Sequence, residues 1–137
     1  MTMKIQYFLL ALIGSLLPYI LNASIIENIH FTHIGLVDGL SHSTIFAINQ
    51  DKGGNLWFAT YDGVNKYDGY NFTVYRHQYM NPNSIASDIS RCIAVDDSDR
   101  IWVGTREGLS LYNRYKDAFS NYYYKKRGMN VAVTSIA

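Results

Sequence analysis

The sequence predicts an all-β chain of β-propeller blades, four-stranded antiparallel sheets forming an incomplete ring of about two blades with an orphan N-terminal strand. Three observations predict it. Leu56-Trp57-Phe58-Ala59-Thr60 returns 45 positions later as Ile101-Trp102-Val103-Gly104-Thr105. Clusters of Gly, Asp and Asn cut each period into four short β-rich runs. After position 24, no run long enough for a helix escapes such a cluster. A period of 40 to 50 residues is the signature of a propeller or solenoid array.

In the first period, Thr44 to Gln50 is a β-rich run and Asp51 to Asn55 a tight turn. Leu56 to Thr60 is the second strand, Val64 to Tyr67 the third and Phe72 to Arg76 the fourth, with turns at Tyr61-Asp62-Gly63 and Asp68-Gly69. At an offset of 45, Ala47 meets Cys92, Ile48 meets Ile93, Asp51 meets Asp96, Gly63 meets Gly108, Val64 meets Leu109 and Tyr67 meets Tyr112. Phe72 and Tyr75 meet Phe119 and Tyr122 at 47, so a turn of the second period holds two extra residues. Ile89 lies seven residues before Asp96 and Ile45 six before Asp51, which predicts a bulge or local shift in the second period.

Each repeated residue type suits a position in such a blade. Trp57 and Trp102 are large enough to fill the gap between neighbouring blades. Ala59 and Gly104 are small where adjacent sheets approach. Thr60 and Thr105 can bond into the turn that follows, and Asp51 and Asp96 can close the turn after the first strand. Gly63 and Gly108 permit positive φ.

The ends supply fragments. Phe31 to Ile34 resembles the fourth strand Phe72 to Tyr75, as an orphan strand that completes the last blade of a ring does. Val133 to Ala137 resembles Ser90 to Ala94, the opening strand of a blade. The division expected is a leader over 1–23, an N-terminal strand and lead-in loop over 24–43, blade 1 over 44–77, blade 2 over 78–124 and the start of a third blade over 125–137. A seven-blade ring at this period needs roughly 300 residues, so the chain reads as the N-terminal piece of a longer protein. Expressed alone, it is expected to aggregate or fold poorly, because repeat units rely on neighbours to cover both faces.

Composition narrows the function. Apolar residues are 48% and charged residues 17%, with a net charge of +1, so a packed core is expected and disorder is not. Twelve tyrosines raise the aromatic share to 15%. Lys125-Lys126-Arg127 is the longest basic run and reads as a solvated loop, so this segment lacks the electrostatic footprint of a nucleic-acid binder. Cys92 has no partner for an intrachain disulfide and reads as a small buried residue. Lys4, the apolar run Ile5 to Leu21 and the small residues around Ala23 have the layout of a secretory signal peptide cleaved after Ala23.

The pattern from Gly39 to Tyr75, and again from Ile89 to Tyr112, resembles the two-component regulator propeller repeat. Departures are Ala59, where a glycine is usual, and Ser98-Asp99 in place of a turn glycine. The resemblance implies a periplasmic sensor propeller, the remaining blades lying in a dimeric parent anchored in the inner membrane. It further implies a histidine kinase downstream and, as partner, a small ligand of the oligosaccharide class. The residues themselves leave two alternatives open: a fragment of an extracytoplasmic propeller enzyme of the lyase kind, or a structural interaction propeller.

Tyr61, Asp62, Arg106 and Glu107 are the candidate ligand residues. They are expected on one rim with the loops around His42-Ser43 and Asn83-Ser84, where aromatic faces can stack on sugars and charged groups can bond hydroxyls; ordinary solvated turns are the plainer account. No catalytic residue, cofactor or metal site is expected. His30 and His33 point to opposite faces of a strand, and Asp96-Asp97-Ser98-Asp99 lacks the glycine and terminal Glu of a calcium loop. Tyr122-Tyr123-Tyr124 reads as alternating burial on an edge strand or as a sugar platform.

Overall fold

The computed structural model describes residues 31–136. The expected leader lies outside the described residues. The following account concerns the unit from His33 onward.

Two four-stranded antiparallel sheets follow one another. The first holds β1 (Ile45–Gln50), β2 (Leu56–Thr60), β3 (Gly63–Tyr67) and β4 (Phe72–Tyr75) in sequential order. The second holds β5 (Ser90–Val95), β6 (Ile101–Thr105), β7 (Leu109–Asn113) and β8 (Ala118–Tyr122), also in sequential order. A small hairpin of β9 (Lys125–Lys126) and β10 (Met129–Asn130) follows, and its basic residues are exposed. Sequential antiparallel order is what short turn-linked runs produce, because each strand pairs with the one just made.

The registers repeat with the sequence. Ile45 faces Thr60 and Ala47 faces Ala59; Ser90 faces Thr105 and Cys92 faces Gly104. A bulge therefore sits at Phe46 and again at Arg91, 45 positions on. The expected irregularity is real but belongs to both blades. Ser90, not Ile89, occupies the place of Ile45.

Strand β1 lies against β5, and β2 lies near β5 as well, so the sheets stack face to face with their first strands adjacent. One core fills the joint. Trp57, Ala59 and Val64 from blade 1 meet Ile93, Ile101, Val103, Tyr112 and Phe119 from blade 2, with Ile85 between them. Trp57 is wholly buried; its ring stacks on Tyr75 at 6.0 Å and meets the edge of Tyr112 at 4.8 Å. Trp102 is only half-buried and packs on Tyr122 of its own blade at 6.1 Å. Both tryptophans hold the same blade position, but only Trp57 has a sheet over it.

Lead-in segments strap each blade. Ser41 N–H donates to Asn65 Oδ1 at 2.8 Å, and Ala86 N–H donates to Ser110 Oγ at 3.1 Å, the same contact one period later. Leu40 and Ile85 are buried beside them. At the C-terminal end, Val133 N–H donates to Thr105 O at 2.8 Å, and its Cγ1 lies 2.8 Å from where a Cβ on Gly104 would stand. Gly104 is thus small because a segment crosses it.

Phe31 to Ile34 and Val133 to Ile136 join no sheet among the described residues, which do not include the strands each was expected to pair with; Val133 docks on blade 2. Two expectations need correction. Gly63 has φ 90°, but Gly108 does not have positive φ. Gly108 is required by space: a Cβ there would lie 2.6 Å from Tyr122 O. Tyr122, Tyr123 and Tyr124 do not alternate, since β8 ends at Tyr122 and all three are more than half exposed.

Candidate functional site

The turns after β2 and β6 lie on the rim where β1 and β5 begin, as antiparallel pairing requires. The β1–β2 and β5–β6 turns lie on the opposite rim. The threonines shape the first set. Thr60 Oγ1 donates to Gly63 O at 2.9 Å and accepts from Asp62 N–H at 3.1 Å. Thr105 Oγ1 donates to Gly108 O at 2.9 Å and accepts from Glu107 N–H at 3.3 Å. The expected threonine bonds are present in both blades.

These bonds point the next two side chains outward. Tyr61 is half exposed, and its ring lies 5.5 Å from that of His42. Thr44 N–H donates to His42 Nδ1 at 2.9 Å, which leaves the ring proton on Nε2. Asp62 is gripped by Arg76, whose Nε and Nη2 donate to its two carboxylate oxygens at 3.0 and 2.8 Å. This two-point contact lowers the Asp62 pKa below the usual carboxylate value and raises that of Arg76. Arg76 stands at the end of β4, fourteen residues away, and no sequence signal linked it to Asp62.

In blade 2 the turn is simpler. Arg106 and Glu107 are exposed, and Arg106 N–H donates to Ile89 O at 2.9 Å. Among the described residues, no hydrogen bond joins this pair to Tyr61 or Asp62. The four candidates therefore share a rim without forming one cluster. His42 joins them as expected. Asn83-Ser84 does not: Phe119 N–H donates to Asn83 O at 2.8 Å and Asn121 Nδ2 donates to Ser84 O at 2.7 Å, fixing the loop against β8.

The same rim carries a joint between blades. Asp88 O accepts from Gly63 N–H at 2.6 Å, and Asp88 Oδ1 accepts from His77 N–H at 2.6 Å. Further in, Arg91 lies over the Phe46 ring at 4.9 Å. Both are bulge residues, and a bulge turns its side chain away from the regular alternation.

The opposite rim is structural. Trp57 Nε1 donates to Asp51 Oδ2 at 2.9 Å, and Trp102 Nε1 donates to Asp96 Oδ2 at 3.0 Å. Each Asp also closes its own turn, Asp51 taking Asn55 N–H at 2.9 Å and Asp96 taking Arg100 N–H at 2.9 Å. Burial pushes the Asp51 carboxyl up, but the bonds from Trp57, Asn55 and Arg114 outweigh it and leave it below the ordinary value. Asp96, more open, is held lower still by Trp102 and Arg100. Arg114 crosses from blade 2 to Asp51 at 3.1 Å and reaches Asp99 at 2.8 Å. Asp117 accepts from the hydroxyls of Tyr75 and Tyr112, each at 2.6 Å, which holds its carboxyl down; burial first, and these bonds second, push both phenols up. The Asp96 to Asp99 turn is thus used by tryptophan and arginine.

Tyr67 and Tyr112 share a repeat position but not an environment. Tyr112 is buried against Trp57, whereas Tyr67 packs on Phe72 at 4.7 Å and bonds Gly69 O. Cys92 is partly buried; its thiol donates to Val133 O at 3.7 Å, and burial raises its pKa, as suits a packing residue. A concavity of about 510 Å³ lies on blade 2 between Arg100, Leu111, Tyr112, Arg114 and Ser120. It lies beside the half-buried Trp102, on the flank that in blade 1 receives the next sheet.

Residues 39–62 and 84–107 each match the family model described as Two component regulator propeller. Over these two segments the chain is similar to two-component regulator propeller repeats. The match spans both lead-in straps, both Asp–Trp pairs and both rim turns. A crystal structure of the extracellular domain described as that of a hybrid two component system of B. thetaiotaomicron is similar, with a TM-score of 0.62 and 37% identity over 69% of this chain. A second, from a one component system of the same organism, has a TM-score of 0.58 at 19% identity over 72% of this chain, and shows likeness of fold. "Histidine kinase P4" of Formosa agariphila is 43% identical over 60 residues, 44% of this chain. The repeats span 4% of that kinase and 13% of each crystallised domain.

Proposed function

We propose that this chain is the N-terminal part of a periplasmic propeller that detects oligosaccharides and signals to a histidine kinase elsewhere in its parent protein. The observation that carries the reading is the pair of regulator propeller repeats, shared with proteins described as a histidine kinase and a hybrid two component system. The crystallised relatives are extracellular domains, and the apolar segment from Ile5 to Leu21 suits export of this chain. In this reading the chain has no catalytic role of its own.

The residues of the rim are consistent with that ligand class. Tyr61 and His42 offer ring faces, while the Asp62–Arg76 pair, Arg106 and Glu107 offer charged hydrogen-bonding groups. Such a mixture suits a polyol with apolar faces. Ligand bound there would favour one of two arrangements of the sensor by its difference in affinity for them. The test is calorimetric titration of the parent's whole sensor region with purified glucan, mannan, galactan and uronan oligosaccharides. Saturable heat from one class is expected, and Tyr61→Ala should weaken binding about tenfold, roughly 1.4 kcal/mol. No heat from any of the four would overturn the ligand assignment.

A further inference from the structure

We infer that the inner edge of the rim, where Arg91 lies over Phe46, binds the charged group of an acidic sugar, the carboxylate of a uronate or a sulfate ester, with Arg106 as the second cation. The inference rests on the proposed oligosaccharide reading and narrows its ligand class. The two sheets come closest at β1 and β5, and the converging strands of a propeller surround its central channel. Phe46 and Arg91 lie at the start of those strands, so they stand where the strands meet, on the rim that bears Tyr61. Both members of the pair belong to the two blades described.

The arginines of the blades divide in two. Arg76 is paired with Asp62, Arg100 with Asp96, and Arg114 with Asp51 and Asp99. Arg91 and Arg106 are exposed and have no carboxylate partner among the described residues. They start from neighbouring positions on one rim: Ser90 faces Thr105, and Arg106 N–H donates to Ile89 O at 2.9 Å. Of the carboxylates on this rim, Asp62 is taken by Arg76, and Asp88 Oδ1 accepts from His77 N–H. Glu107 is exposed and makes no ion pair among the described residues.

The bulge turns the Arg91 guanidinium onto the Phe46 ring, 4.9 Å from its centroid. Stacking uses the flat face of a guanidinium and leaves the N–H groups along its edge free. Those donors meet no protein acceptor among the described residues. A planar fork of N–H groups, steadied by a ring and still unspent, matches two oxygens of a carboxylate or a sulfate. Phe46 is 39% exposed, so its remaining surface can meet the apolar face of the same sugar. A neutral sugar would leave the strongest bond that Arg91 can make unmade.

The test is calorimetric titration of the parent's whole sensor region with oligosaccharides matched in length: neutral glucan, mannan and galactan, a sulfated galactan and a polyuronate. One acidic class should bind at least about tenfold tighter than any neutral one, and the sulfated and uronate arms tell the two sources of charge apart. Arg91→Gln should weaken that binding about tenfold, and Arg91→Lys should recover only part of the loss, because a lysine keeps the charge without the fork. Glu107→Gln should strengthen acidic binding about twofold by removing a like charge, which a merely structural role would not do. Circular dichroism checks that each variant keeps its strand signature; if Arg91→Gln loses it, Arg106→Gln carries the test, with a weakening of about threefold. Acidic binding unchanged by these arginine substitutions, or tighter binding of a neutral oligosaccharide, overturns the inference and leaves the oligosaccharide reading standing. No heat from any oligosaccharide overturns both.

Discussion

Replacing Trp57 with Phe should cost clearly more stability than the same change at Trp102, although the two residues occupy one repeat position and make the same bond. Each change removes an indole N–H donated to a carboxylate, at 2.9 Å for Asp51 and 3.0 Å for Asp96. Asp51 is 4% exposed, so water cannot replace the lost donor, though Asn55 and Arg114 still reach the same oxygen. A charge-assisted bond in that setting is worth about 1.5 kcal/mol. The missing part of the ring leaves a gap between Tyr75 and Tyr112 worth about 1 kcal/mol more. At Trp102, water reaches both the carboxylate and the open flank, so the total is about 1 kcal/mol. The difference is about 1.5 kcal/mol. With a urea slope of about 2 kcal/mol/M, the midpoints should differ by about 0.7 M. Unfolding is followed by circular dichroism at concentrations where the midpoint no longer depends on protein concentration. Equal losses, or a larger loss at Trp102, would refute the reasoning that coverage by the neighbouring sheet sets the cost.

Ser90 Oγ is buried and has no hydrogen-bond partner among the described residues, so Ser90→Ala should raise stability by about 1 kcal/mol in the same urea assay; a loss of that size would mean the hydroxyl is bonded. Gly63→Ala should cost about 1 kcal/mol more than Gly108→Ala, because Gly63 combines a crowded Cβ position with φ 90° while Gly108 is only crowded. Acid should weaken the joint between blades. Asp51 and Asp117 have native pKa values below the ordinary 3.8, so their contribution is complete above that value and is lost as the pH falls through the depressed native values. Urea midpoints should hold from pH 7 to about 5 and fall below about 4, and Asp117→Asn should flatten that fall.

The fold was legible because the sequence repeats itself with turn chemistry between the repeats. Two pentapeptides and the Gly/Asp/Asn clusters placed eight strands and their order. The turn closure by Asp51 and Asp96 was legible too, but the bond each accepts from the tryptophan six residues on was not, because it needed geometry. Burial was not legible. Trp57 and Trp102, or Tyr112 and Tyr67, are identical letters whose environments depend on which flank another sheet covers. Gly108 could not be told from Gly63, because both are crowded by a carbonyl of the last strand, Tyr122 O or Tyr75 O, and the φ that separates them is set by the path of the chain. At the candidate rim, the outward aim of Tyr61 and Asp62 followed from the turn. The grip of Arg76 on Asp62 did not, because it depends on where β4 ends in space.

The link between the two sheets is fastened at both ends as well as greased in the middle. Asp88 ties the sheets on the rim bearing Tyr61, while Arg114, reaching from one sheet to Asp51 in the other, ties them on the far side. A hinge needs one loose edge, and this joint has none. The pair therefore moves as a single wedge, and a push delivered at one turn arrives at the far edge as rotation of the whole body instead of being absorbed by slippage along the way.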